Sequence, residues 1–473
     1  MSVAERLPEP VAALWENDVT KISALLAAIY AVYVLSGVLL GFSARGQINS
    51  IASLTFYIAV FALLALALNL HWGYTGLFNI GIVGFMAVGI YVMAIVSKAP
   101  LFAAETGRSG GFGLPIWAGI VAGTLAAAVL GLVVALPALR LRADYLAIVT
   151  IAMSEILRFT FLSGDLEQFE VAGYVVGLGG GSGLILDFTQ PVEALFTALG
   201  LWNAYLGFVD VVGTVVPNNP KPVVDSLVYA VLLLGVVAVY YALLRRMGNS
   251  PFGRVLSAIR EDEEATNALG KNTDVFKTKA FMVGCGLMGL GGILWYMTQG
   301  AITPNTYRPR LTFFVWIALI IGGAGSNTGS VMGGAIFAAV LFQGPRYLKN
   351  VIEQFVEVDA PSGFGPAVSP LVSNLDPVPF ALYTIDSIRQ LQLVIMGLVL
   401  VYLMHNRPEG LLGHRKEPAS AVPIDRPPGS AGEGGRGGTP PAAADGGTGS
   451  DPGTGSGTGT GPETESGGRD TDE

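Results

Sequence analysis

PFGRVLSAIREDEEATNALGKNTDVFKTKAF, residues 251–281, stands between two long apolar runs at 224–244 and 279–298. Each run has about the 20 residues that cross a hydrocarbon core as a helix. The polar stretch is therefore a charged loop between two membrane spans. Other runs of the same kind lie along the chain. They are continuous rather than alternating every second residue, so the spans are helices and not barrel strands. The expected fold class is an all-α polytopic membrane protein.

Composition agrees. Hydrophobic residues make up 52% of the chain and charged residues 13%, against about 25% charged in soluble domains. The single cysteine, Cys285, excludes an internal disulfide and a cysteine-based metal cluster. It lies in an apolar span and is expected to pack there. The first apolar run, 22–42, follows an acidic segment and is too long for a signal-peptide core, so it is read as a retained span. Residues 421–473 hold nine Asp or Glu against three Arg, with abundant Gly, Ser, Thr and Pro. Such a segment cannot build a core, so 417–473 is expected to be a disordered acidic tail. Its charge makes nucleic acid an unsuitable partner.

Ten transmembrane or partly spanning helices are expected, at 22–42, 53–70, 74–97, 115–136, 145–163, 224–244, 279–298, 311–323, 331–345 and 387–404. The pair at 311–323 and 331–345 is short and joined by GGAGSNTGS, which suggests broken helices or a re-entrant hairpin. Basic residues set the orientation. Arg245, Arg246, Arg254, Arg260, Lys271 and Lys277 mark one loop as cytoplasmic; Arg140 and Arg142 mark another, and Arg407, Arg415 and Lys416 mark the end of the last span. Segment 164–223 carries Asp165, Glu167, Glu170, Asp187, Glu193 and Asp210, with Lys221 as its only base, and falls outside. Arg45 and Lys98 run against this pattern. The organisation expected is a cytoplasmic segment 1–21, spans one to five within 22–163, an external segment 164–223, a sixth span 224–244, a cytoplasmic loop 245–278, and remaining spans with a C-terminal cap in 279–416. Both termini are then cytoplasmic, in a multi-pass protein of the cell membrane.

Within the polar loop, Pro251 suits the first turn of a helix after Ser250. Strong helix formers follow, and Gly270 is placed to end the helix. Val255, Ile259, Ala265 and Leu269 fall near one face. An amphipathic helix of this kind fits a groove in a partner protein, with Arg254 and Arg260 adding ionic contacts; resting on lipid headgroups is the other reading. Glu261 to Glu263 suit a solvated face or a partner contact equally.

Polar residues within the spans are few. Glu155 and Arg158 lie three apart and share a helix face, so an ion pair is expected, with pathway or gating as the second reading. Asp144 is placed as a helix cap. Asn79 is a pathway candidate in a glycine-rich span. His71 and Trp72, at a span end, read as interfacial residues. The glycines of the break, Gly322, Gly323, Gly325 and Gly329, offer backbone groups that a zwitterion needs.

The loop resembles the coupling segment of LivM-type permease subunits of branched-chain amino acid ABC importers. It carries the importer pattern at Glu264, Ala265, Thr266 and Gly270. NLHWGYTGLFNIGIVGFMAVGIYVMA (69–94), LRLRADYLAIVTIAMSEILRF (139–159), ITPNTYRPRLTFFVWIALIIGGAGSNTGSVMGGAIF (302–337) and NRPEGLLG (406–413) are similar to further family stretches, in order. Asn79-Ile80-Gly81-Ile82 departs from the family's usual Ser-Leu-Gly-His. The resemblance implies import of branched-chain amino acids, a sister permease subunit, two cytoplasmic ATPase subunits that use ATP and Mg, and an external substrate-binding protein. It implies no cofactor in this chain, which has no GxxxxGK[ST] motif. Arg254, Arg260, Glu264, Ala265 and Gly270 form the coupling set that it implies. Urea, short amides or another amino acid as cargo would leave the same motifs. A secondary transporter working without ATPase subunits is the other alternative, and would leave the polar loop without a purpose. No paired carboxylates, catalytic triad or metal cluster suggests an enzyme.

Overall fold

In a computed structural model of the chain, residues 18–100, 109–139, 143–186, 190–355, 360–406 and 409–412 are described. The expectations for residues 1–17, Arg140, Arg142, Asp187, Arg407, Arg415, Lys416 and the acidic tail lie outside them, as does the side chain of Asp144.

The chain is a polytopic helical protein. Among the described residues, six helices are long and apolar enough to cross a membrane. They are α1 (Asp18–Leu39), α2 (Ala44–Asn69, extended by a π turn to Tyr74), α4 (Ile116–Ala138), α5 (Ala143–Leu162), α8 (Lys221–Gly248) and α11 (Thr273–Tyr296). A seventh candidate is a bent pair, α12 (Pro309–Gly322) and α13 (Asn327–Ile336), whose second arm runs on through a π turn, Phe337–Gln343, into α14 (Gly344–Phe355). The chain bends by 119° between the two arms. Two shorter apolar helices are α3 (Ile82–Ser97) and the end of α17 (Ile388–Asn406). Between them lie α6 (Pro191–Ala198), α7 (Trp202–Gly213), α9 (Pro251–Glu261), α10 (Glu263–Ala268), α15 (Phe364–Asn374) and α16 (Val378–Asp386). Four short strands lie among the described residues. β1 (Phe169–Val171) and β2 (Tyr174–Val176) form a hairpin, and β3 (Leu184–Ile185) pairs antiparallel with β4 (Ala301–Ile302).

Expected boundaries move: the span expected at 53–70 already begins at Ala44, and two further shifts have a local cause. The span expected at 74–97 begins only at Ile82. Thr75 Oγ turns back to the His71 and Leu70 carbonyls, Gly76 takes φ +71°, and residues 76–81 run without helix. A hydroxyl that bonds its own backbone and a left-handed glycine both stop helix propagation. The helix expected at 331–345 instead starts at Asn327 and continues past Pro345 to Phe355. Pro345 has no N–H to give the preceding turn; there Gln392 Nε2 donates to the Leu341 carbonyl at 2.7 Å.

α2 is the central helix, with 78% of its span buried against 11% for α1. It packs on α8, α13, α11 and α12. A second group joins α3, α4 and α11 through glycine. A Cβ on Gly89 would lie 2.5 Å from the Gly289 carbonyl oxygen, and one on Gly123 would lie 2.2 Å from that of Gly89. Such backbone contact needs small residues. Cys285 is fully buried at the same interface, beside Gly131. Gly89→Leu is expected to separate α3 from α11, at a cost of about 1–3 kcal/mol or more for overpacking. The measurement is the thermal unfolding midpoint in detergent; an unchanged midpoint would show that the helices do not touch there.

Candidate functional site

The polar loop folds as two helices rather than one. Ser250 caps α9, its Oγ accepting from Gly253 N at 3.3 Å, and Pro251 follows at the first helical position. The helix stops at Asp262, which is extended at φ −155° and ψ 107°. Its carboxylate accepts from Ala265 N at 2.9 Å and so starts α10. An aspartate followed by three helix formers is a cap signal as well as a helix-compatible run, and the cap prevails. Gly270 ends the segment at φ +80°.

The buried face also differs from the expected one. Gly253, Leu256, Ile259 and Thr266 point into the bundle, while Leu269 is 80% exposed. Phe252 stacks on Phe276 at 5.5 Å. The five residues of the expected coupling set divide accordingly. Arg254, Glu264, Ala265 and Gly270 are exposed. Arg260 turns inward. Its Nη1 donates to the Gly73 carbonyl at 2.5 Å and its Nη2 to Glu261 at 2.7 Å, while its Cγ lies against Gly76. A second tie holds α10. Glu263 accepts from Lys277 Nζ at 2.5 Å and from Thr273 Oγ at 3.0 Å. Lys277, 6% exposed, also reaches the Leu139 carbonyl at 3.4 Å, at the C-terminus of α4, where a cation is favoured. From sequence, Glu263 suits a solvated face or a contact with a partner protein equally; in the structure it bonds within the chain. Its partner lies in the next helix, and only the turn at Gly270 brings the two together.

The Arg260 tie ends on a buried polar junction at the α12–α13 break. Asn69 Oδ1 accepts from Gly325 N at 2.8 Å, and its Nδ2 donates to Asn327 Oδ1 at 3.0 Å. Asn327 in turn donates to Tyr74 Oη at 3.0 Å. Residues 409–412 close the break from below: Leu411 N and Leu412 N donate to the Ile321 and Gly322 carbonyls. Gly323, at φ +101°, and Gly325, at φ +87°, turn the chain. Gly322 and Gly329 touch through their backbones, and Ser326 Oγ accepts from Gly329 N at 3.0 Å. Of the backbone groups expected to face a zwitterion, Gly325 N, Gly329 N and the Gly322 carbonyl are engaged within the chain, at Asn69, Ser326 and Leu412.

His71 is not interfacial. It is fully buried and stacked on Phe281, with ring centroids 4.8 Å apart. Its Nε2 lies 3.0 Å from the Phe281 carbonyl, and its Nδ1 lies 3.1 Å from Asn79 Nδ2. Asn79 Oδ1 accepts from Gly81 N at 2.8 Å, which fixes the amide. Nδ1 therefore accepts and Nε2 carries the proton, a neutral imidazole. Trp316 Nε1 donates to the Asn79 carbonyl at 3.1 Å. Asn79 is fully buried with all these groups in use. Asn69 and Asn327 were not singled out from sequence; the signal was an asparagine near each end of an apolar run, where burial demands a partner.

Glu155 and Arg158 form the expected pair at 2.7 Å. Arg158 Nη1 adds a bond to Asn305 at 3.2 Å, and its guanidinium lies over Phe159. This pair is away from the junction, at the end of the bundle opposite the polar loop.

A bundle of apolar helices with a broken pair packed on its central helix, and a capped polar loop tied beside that break, is the architecture of a polytopic membrane protein. The sequence profile described as branched-chain amino acid transport system / permease component matches residues 50–404. The chain belongs to that family. It is similar to the high-affinity branched-chain amino acid transport system permease protein LivM of Salmonella typhimurium, at 30% identity over 318 residues, 66% of this chain and 65% of the relative. The protein of the same description from Escherichia coli is 30% identical over 312 residues, with the same coverage. A probable LivM permease of Methanocaldococcus jannaschii is 24% identical over 310 residues, covering 61% and 79%. The chain thus spans 65% of the length of the first two relatives. No solved structure matches it.

Proposed function

We propose that this chain is the membrane-spanning permease subunit of an ATP-driven importer of branched-chain amino acids. The observation that carries the mechanism is the division of the 251–270 loop into an exposed face and an inward tie. Arg254, Glu264, Ala265 and Gly270 meet an ATPase subunit on the cytoplasmic side. Arg260 does not: it passes the movement of that contact to the Gly73 carbonyl, and so to Asn69, Gly325 and the α12–α13 break. Closure of two ATPase subunits on ATP and Mg then displaces the break. A sister permease completes the membrane core, and an external binding protein delivers the cargo. Asn79 and His71 position the unwound segment 76–81 against α11 and α12. Glu155 and Arg158 hold the outer end of α5.

The chain crosses the membrane ten times in this reading. The six long helices, the two arms of the bent pair, α3 and α17 each cross once, and both termini are cytoplasmic. Arg260 beside Gly73 and Lys277 beside Leu139 support it, since both bring expected cytoplasmic ends together.

The test is uptake by proteoliposomes holding the co-purified complex, with the external binding protein outside and ATP inside. Labelled leucine is expected to accumulate only with ATP. Accumulation of urea in its place would change the cargo, and ATP-independent uptake by this chain alone would overturn the proposal.

A further inference from the structure

At the end of the bundle opposite the polar loop, a cavity of about 530 Å³ opens between the start of α2, the start of α8, α6 and the end of α11. Small-ligand sites span roughly 300–1,000 Å³. Its lining carries one cation and one anion from different helices, Arg45 and Asp225, together with the rings of Phe56, Tyr57 and Tyr229.

Both charges are unusual in their setting. Asp225 lies in the second turn of α8, at the outer end of a candidate span, and is half-buried. Among the described residues it forms no ion pair. Tyr205, almost fully buried, donates to its Oδ1, and no described residue bonds its Oδ2. Burial, and then the bond to Asp225, push the Tyr205 phenol well above its ordinary value, so it remains a hydrogen-bond donor to Oδ1. Arg45 likewise has no acid partner among the described residues. Its Nη1 donates to the Asn218 carbonyl at 2.8 Å, which fixes the guanidinium at the rim. Tyr229 Oη is engaged by the Leu294 carbonyl, so the residue presents its ring, not its hydroxyl, to the space.

We propose that this cavity receives a free zwitterionic amino acid, with Arg45 taking its carboxylate, Asp225 its ammonium, and Phe56, Tyr57 and Tyr229 an apolar side chain. The assignment rests on the importer reading above and gives that reading a site within this chain. It also accounts for Arg45, whose charge runs against the orientation pattern of the other loops. A basic residue on the outer side is required by a ligand that brings a carboxylate.

The experiment is equilibrium binding of labelled leucine to the full chain, purified with the subunits that accompany it, with leucinamide and 4-methylpentanoate as competitors. Arg45→Gln and Asp225→Asn are each expected to weaken leucine binding about tenfold, the loss of one charge-assisted contact. Arg45→Gln should also erase the preference for leucine over leucinamide, which lacks the carboxylate. Asp225→Asn should erase the preference over 4-methylpentanoate, which lacks the ammonium. Tyr205→Phe removes the support of Asp225 without its charge and should leave both preferences in place, while Arg45→Lys and Asp225→Glu keep the charges and should retain binding and both preferences. Leucine binding to the native complex that is absent, or is unchanged in Arg45→Gln and Asp225→Asn, would overturn the proposal. ATP-driven uptake on the same preparation reports separately. Uptake that persists while those two variants bind as the native chain does removes the cavity and keeps the importer. Charge-dependent binding without ATP-driven uptake removes the importer and keeps the cavity.

Discussion

Arg260→Glu is expected to lower ATP-driven uptake by about 30-fold or more while the chain still co-purifies with its ATPase subunits. The native guanidinium donates to the Gly73 carbonyl. A carboxylate at that place has nothing to donate, faces the carbonyl oxygen, and stands beside Glu261. A hydrogen bond to a charged group contributes about 1.5–3 kcal/mol, and 2 kcal/mol is about 30-fold in an equilibrium. Assembly should survive, because Arg254, Glu264 and Ala265 are exposed and the Arg260 side chain is 23% exposed. Uptake and co-purification measured together decide the matter. Loss of both would make Arg260 a partner contact, and retention of both would leave the tie without a role. Arg260→Lys keeps the charge and should retain part of the activity.

Gly73→Val is expected to have the largest effect on stability. A Cβ at Gly73 would lie 2.0 Å from Asn69 Oδ1 and 2.5 Å from Gly325 N. The Asn69 side chain cannot simply move aside, since it bonds Gly325 and Asn327 at once. Overpacking costs about 1–3 kcal/mol, and each buried polar group left without a partner about 1–3 kcal/mol more. Thermal unfolding of the purified chain should shift downward by well over the change given by a valine at exposed Ala258. An equal shift would mean that the junction at Asn69 contributes nothing to the fold.

The helical, membrane-spanning class was legible in the length of the apolar runs, and the loop caps at Ser250 and Gly270 were legible in residue type. The break at Asp262 was not, because its neighbours Glu261, Glu263 and Glu264 favour helix and only the aspartate's local bond to Ala265 opposes them. Burial was misread where a polar side chain meets a partner remote in sequence. His71 looks interfacial until Phe281 and Asn79 are placed beside it, and Arg260 looks outward until the unwound segment after Tyr74 comes near. Glu155 and Arg158, by contrast, are neighbours on one helix, and their pairing needed no tertiary knowledge. Local periodicity speaks for contacts within a turn or two. It is silent on contacts between helices, where most of the junction lies.

The bonds from Leu411 and Leu412 to the end of α12 also bear on the order in which the protein is made. Helix ends leave carbonyls without partners, and the bilayer interior has no water to supply them. A nascent chain that has delivered α12 and α13 to the membrane still lacks the two amides that complete the turn. Those amides follow α17, so the centre of the fold is finished by nearly the last described residues to leave the ribosome. Until then the Ile321 and Gly322 carbonyls lack these partners, and it is the short segment 409–412, not a helix of the bundle, that latches the turn.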